Sequence, residues 1–242
     1  MDFNRLFHEK NFYLSILLAL ASILIGTAWP SIPPGTVLPS DISFSLLESA
    51  LQSKAVLFAL PFAAALPFGD AYLKERQWNY LRFLLIRQSR GTYCQSRILV
   101  TAVSGPLAWF FAACLALLFF FLTFFTRKSV STWPPDCLFS LLAMSARLFL
   151  CASFLSSLSA VCAVLGGSAY LAFGLPFLLW YSCIILRERY LESLYYLDPS
   201  EWLSPQNDWG TVQAGLWILL VSLALLGAAA HRMVLERKLT ES

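Results

Sequence analysis

Charge is scarce in this chain. Asp, Glu, Lys and Arg make up 13% of its 242 residues, and 58% are hydrophobic. Soluble domains average about 25% charged and about 45–50% apolar residues. With a mean hydropathy of +0.67, the composition excludes an ordinary soluble domain and reads as an integral membrane protein. The net charge of +3 gives no footprint for a nucleic-acid partner. Phosphate and metal chemistry are absent as well. No G-x-x-x-x-G-K-[ST] is present to cradle ATP phosphates, and no H-E-x-x-H. The two histidines, His8 and His231, lie near the two ends and make no ligand pair. The six cysteines are scattered singly without a C-x-x-C, which excludes a disulfide framework by spacing and leaves them as small packing residues. Ala102-Val103-Ser104-Gly105 resembles half of an intramembrane serine protease motif, but its first glycine is missing and Pro106 follows. A helix-packing or kink site is the better reading. There are no internal repeats, low-complexity tracts or separate soluble domain.

What is present is a series of apolar runs. A bilayer core of about 30 Å needs about 20 apolar helical residues. Six segments meet or approach that length: 12–29, 50–68, 98–125, 138–165, 169–186 and 211–230. The run from Phe12 to Ala28 is longer than the 7–15 residues of a signal-peptide core, so it reads as a retained helix. Pro61 and Pro67 interrupt the second segment, Gly105-Pro106 the third and Pro176 the fifth. Membrane helices tolerate and often kink at such prolines. With the N-terminus inside, eleven Lys and Arg fall on the inner side and five on the outer, Arg147 lying within the fourth helix. That bias places both termini in the cytoplasm. The expected fold is therefore an all-α integral membrane protein of six transmembrane helices, a single domain spanning 1–242.

Between the second and third helices lies GDAYLKERQWNYLRFLLIRQSRGTYCQSR. It carries six of the seventeen Lys and Arg, namely Lys74, Arg76, Arg82, Arg87, Arg90 and Arg97, against Asp70 and Glu75. The positive-inside bias accounts for the charge but not for the aromatic content. Trp78, Leu81 and Leu85 fall at i, i+3 and i+7 of a helix, with Glu75 and Arg82 on other sides. Such an amphipathic segment suits either anionic lipid headgroups or a cleft in a partner protein. Arg147 stands nine residues into the fourth helix, about 13 Å along it. A central Arg costs about 2.5–3.5 kcal/mol on insertion scales. It either faces a substrate path or subunit interface, or snorkels to the outer headgroups; Glu48 and Asp136 are the nearest carboxylates in topology. Ser153 and Ser157 belong to a small-residue face on the same helix. That is a packing face first and a polar substrate path second.

This layout resembles the permease subunits of type-2 ABC transporters. The residues that carry the resemblance are Glu75-Arg76-Gln77, Leu81, Leu84-Leu85, Ser89-Arg90 and Arg97. They are similar to the family pattern E-R-E-x-G-T-L, a leucine pair, Pro-x-Ser-Arg, and a Lys entering the third helix. Asn79 stands near the usual glycine and Arg87 at the usual proline. Two further stretches look alike: Asn4–Lys10, similar to a short interfacial helix before helix one, and Tyr195–Leu203, similar to the short outer helices before the last span. The resemblance implies that residues 70–97 form a coupling helix docking on a separate ATPase dimer, through Glu75, Arg76, Trp78, Leu81, Arg82, Leu85, Arg87, Ser89 and Arg90. It implies an outer loop 187–210 organised around Asp198, Pro199 and Trp202. It also implies a second permease copy, identical or related, and alternating access. The chain itself would bind no cofactor and catalyse nothing, ATP and Mg being held by the partner. An exporter in a bacterial plasma membrane is the expectation. The alternatives are a substrate-binding membrane subunit of an uptake system, or a non-transport membrane protein such as an immunity or sensor protein.

Overall fold

The computed structural model describes residues 6–29, 41–77, 86, 89–124, 135–191 and 193–241. Among them the chain is all-helical. In chain order the helices are α1 (Lys10–Gly26), α2 (Ile42–Leu51), α3 (Lys54–Ala65), α4 (Ala71–Gln77), α5 (Arg90–Phe124), α6 (Pro135–Gly166), α7 (Ala169–Arg189), α8 (Pro199–Leu203) and α9 (Ala214–Glu241). Short 3-10 turns at Tyr195–Leu197 and Thr211–Gln213 flank α8. Four of these, α5, α6, α7 and α9, are long and apolar enough to cross a membrane. This is compatible with a helical membrane protein.

Three expectations are corrected. The second span, expected as one helix over 50–68, is a bent pair: α2 and α3 meet at 68° across a two-residue break. Counted as one span, the pair brings the total to five. The break is a helix restart. Ser53 is extended, and its hydroxyl accepts the Val56 N–H at 3.3 Å, which satisfies an otherwise orphan donor. Pro61 lies within α3 without ending it. The first span, expected over 12–29, is a 17-residue helix ending at Gly26, shorter than the other candidates. The segment 70–97 is not one unit. Ala71–Gln77 forms α4, whereas 90–97 is the first part of the 35-residue α5. Ser89 starts α5 by accepting the Thr92 N–H at 3.3 Å, so capping extends the helix beyond the apolar run that hydropathy detects. Trp78, Leu81, Arg82, Leu85 and Arg87 lie outside the described residues, as do Asn4 and Arg5 of the Asn4–Lys10 stretch.

The bundle is organised around α6. In its most apolar window 67% of residues are buried, against 33% in α5, 22% in α9 and 17% in α7. It contacts α2, α3, α4, α5, α7, α8 and α9. The serine-rich face makes this possible. Ser156 donates to the Thr101 carbonyl on α5 at 2.6 Å, and Ser159 to the Ala172 carbonyl on α7 at 2.7 Å. A Cβ on Gly105 would stand 2.8 Å from the Ala64 carbonyl oxygen, and one on Gly227 of α9 would meet Phe154 and Ser157 at 3.3 Å. The hydroxyl of Ser104 is engaged by the Thr101 carbonyl at 2.9 Å. Ser104-Gly105 is thus a place where α5 and α3 nearly touch. At the neighbouring residue of α3, Ser15 of α1 donates to the Ala63 carbonyl at 2.5 Å. Hydroxyl-to-carbonyl bonds and small residues are the usual means of close approach between apolar helices. α6 and α7 are joined by a tight turn in which Gly167 takes φ +63°, a left-handed conformation natural to glycine.

Gly105→Val should wedge α5 from α3 and lower stability by about 1–3 kcal/mol, the usual range for overpacking. Thermal unfolding of the detergent-solubilised protein measures it. Gly91→Ala, with nothing within 4 Å of the added carbon, should leave the midpoint unchanged or raise it slightly.

Candidate functional site: a buried ion pair at the base of the bundle

Where α4 meets α5, a carboxylate and a guanidinium are both removed from solvent. Arg97 Nη2 stands 2.6 Å from Glu75 Oε2, with side chains 3% and 1% exposed. The Tyr93 hydroxyl donates to the same Oε2 at 2.8 Å. The guanidinium also lies 5.0 Å over the ring of Phe68, a cation–π placement. Neighbouring Asp70 is buried and pairs with Lys74 at 3.2 Å, one turn along. His231 of α9 is buried and close enough to Arg97 for the two to interact electrostatically.

Each member is positioned by a simple local rule. Tyr93 and Arg97 are one helical turn apart, so they share a face of α5 with buried Val100 and Ser104. Glu75 shares α4 with Tyr72 and Leu73, which pack with Tyr93, Cys94, Ala163, Val164, Ala172, Leu235 and Leu239. The apolar packing of α4 on α5, α6, α7 and α9 therefore carries Glu75 inward to Arg97. Removing two charges from water costs several kcal/mol per ion, offset here by their attraction, by the tyrosine hydroxyl and by the aromatic face. The result is an electrostatic clasp that fixes α4 to the base of α5.

Of the residues the sequence singled out here, Glu75 is therefore engaged inside the chain rather than presented outward. Arg76, Ser89 and Arg90 are exposed at the same end. Tyr93, Phe68 and His231 were not anticipated. The available signal was the Tyr93–Arg97 spacing, two polar-tipped side chains one turn apart at the entrance of an apolar helix.

The structure places Arg147 on α6, 8% exposed, with no hydrogen-bond partner for Nε or Nη1 among the described residues. Glu48 of α2 is near enough for its charge to act on it, and also accepts a hydrogen bond from Ser140. The side chain of Asp136 is outside the description. Ser153 is half-buried on α6; Ser157, fully buried, lies against Gly227. These three do not meet the Glu75–Arg97 group.

At the opposite end, residues 193–213 fold into a cap. Asp198 accepts the Ser200 N–H at 2.9 Å and Pro199 occupies the first turn of α8, an N-terminal pairing typical of short helices. Trp202 donates its indole N–H to the Tyr196 carbonyl at 2.9 Å and packs edge-on against Trp180 of α7 at 5.5 Å. Glu201 receives the N–H groups of Gln206 and Asn207 at 2.9 and 3.2 Å. Asp198 also faces Arg187 at 3.5 Å. Asp198, Pro199 and Trp202 thus build the cap itself. On its rim the Tyr195 hydroxyl bonds to that of Tyr196 at 2.7 Å, and this bond pushes its pKa up to about 12, so the phenol stays protonated through ordinary pH.

Comparison of the chain with protein-family models, with curated proteins and with solved structures gives no match in any of the three.

The clasp yields a prediction by double-mutant cycle. Arg97→Met alone leaves Glu75 buried and uncompensated, and should cost about 3–5 kcal/mol. Adding Glu75→Leu to Arg97→Met should restore much of that loss. Thermal unfolding of the four proteins in detergent reads the coupling; strictly additive losses would dissolve the clasp.

Proposed function

We propose that this chain is the membrane-spanning permease subunit of a type-2 ABC transporter, working as an exporter in a bacterial plasma membrane. The observation that carries the reading is the Glu75–Arg97 clasp between α4 and α5. A short helix on a connecting segment transmits force only if it is stiffly joined to a spanning helix. Here α4 is joined to α5 by a buried ion pair, and to α6 and α9 by apolar packing. Exposed Arg76 and Arg90 flank it and present positive charge to an acidic partner. In this reading a separate ATPase dimer holds ATP and Mg, hydrolyses the nucleotide, and moves α4. Through the clasp, α5 follows. Two such permeases, identical or related, face one another, and cargo passes along their seam as the pair alternates between inward and outward access. Arg147, buried on α6, is the charged group offered to that seam.

The division of labour between Glu75 and the two arginines sharpens the test. Arg76→Glu with Arg90→Glu alters only exposed side chains and should abolish recovery of an ATP-binding subunit in a mild-detergent pull-down, while the permease remains monodisperse. Glu75→Lys should instead perturb the membrane part itself, because it places two cations together in a buried site. Recovery of the unaltered chain with no ATPase, under conditions that keep transporters assembled, would sink the reading.

A further inference from the structure

The cap end holds a cleft of about 570 Å3 between α3, α7 and α8. Its rim carries Lys54, Arg187, Glu188 and Asp198, and its wall includes Leu57, Tyr181 and Ile184. Two of the rim charges have no stabilising role in the fold. Lys54 is the first residue of α3 and Glu188 lies in the last turn of α7. A cation at a helix N-terminus and an anion at a C-terminus each oppose the helix dipole. Both side chains are exposed, and neither has an ion-pair or hydrogen-bond partner among the described residues. Beside them Arg187, half-buried, lines the same cleft while one of its nitrogens faces Asp198 at 3.5 Å.

Each of the two charges heads an aromatic track. Lys54, Phe58 and Phe62 follow one another at successive turns of α3. Glu188 lies above Tyr181 and Phe177 on the same side of α7. The tracks touch: Phe62 stacks on Phe177 at 4.5 Å, Phe58 meets Phe177 at 5.5 Å and Tyr181 at 5.6 Å. Phe58 remains 51% exposed. A cation and an anion thus line one cleft at the head of one continuous apolar strip.

We infer that the cleft is a binding site for a phospholipid whose headgroup carries both a phosphate and an amine. The phosphate takes Lys54, with the half-buried Arg187 beside it on the rim; the ammonium takes Glu188; an acyl chain lies along Phe58 and Phe177. An anionic lipid would leave Glu188 facing phosphate, and a headgroup without its chains would leave the aromatic strip unused. The site stands whether or not an ATPase docks at the other end of the bundle.

The test is native mass spectrometry of the full chain released from detergent. The probes are dioleoyl phosphatidylethanolamine, dioleoyl phosphatidylglycerol and water-soluble glycerophosphoethanolamine. The expected result is one retained phosphatidylethanolamine per chain. Lys54→Gln or Glu188→Gln should each weaken that retention about tenfold, the effect of losing one charge-assisted contact. Lys10→Gln, at the other end of the bundle, should not. Because both altered side chains are exposed, unchanged elution on size exclusion accompanies the expected loss. Equal retention of phosphatidylglycerol that is insensitive to both variants would mean annular lipid and overturn the proposal. So would displacement by glycerophosphoethanolamine at equal concentration, since the apolar strip would then contribute nothing.

Discussion

Close approach to one central helix is the constraint on which the rest of this bundle depends. A helix satisfies its own backbone hydrogen bonds, so in an apolar medium the sides of helices have little but dispersion and occasional hydroxyl bonds to hold them together. Both require short distances. α6 supplies them with Ser156, Ser157 and Ser159, and its neighbours reply with Gly105 and Gly227. Larger residues along this face would separate α5, α7 and α9 from α6 at once. The other elements inherit their positions from it. α4 packs on α6 at one end of the bundle and α8 at the other, so the clasp and the cap stand at opposite ends of a common axis.

Within that frame the buried charges divide into two kinds. Glu75 and Arg97 are joined to each other, to Tyr93 and to the face of Phe68. Their geometry is over-determined, and small relative motions of α4 and α5 meet an electrostatic resistance that apolar contacts alone lack. Arg147 is held more loosely: two of its nitrogens have no hydrogen-bond partner among the described residues, and Glu48 is already shared with Ser140. The first arrangement suits a rigid joint. The second suits a group whose surroundings change.

Much of the helical layout was legible in the sequence because apolar runs report it directly. What escaped had specific causes. Hydropathy registers only the apolar part of α5, and missed the turns from Arg90 that Ser89 caps. The prolines drew attention as breakers, yet Pro61 lies within α3, whereas the break came at Ser53, whose N-cap chemistry is a quieter signal. The Glu75–Arg97 pair joins two helices across a connection, and no local pattern specifies such a partner. Arg97 was noticed as the end of a charged segment and Glu75 as a surface contact; only packing shows that they face each other. At the cap, Tyr195–Leu203 was legible as short outer helices before the last span, but the bond of Asp198 to Ser200 and the role of Trp202 in holding Tyr196 depend on the folded loop.

The length of α5 has a mechanical consequence. At 35 residues it is about 52 Å long, well beyond an apolar layer of about 30 Å. It is a rod that projects from whatever layer holds it, or leans steeply within it. Pro106 lies close to its midpoint and removes one backbone hydrogen bond there. A tilt of the rod about that point swings two arms of nearly equal length in opposite senses. Displacement at Arg97 then reappears near Leu115, as far beyond Pro106 as Arg97 lies before it, with similar size and reversed direction, as on a balanced beam, with the contact of Gly105 against Ala64 as its fulcrum.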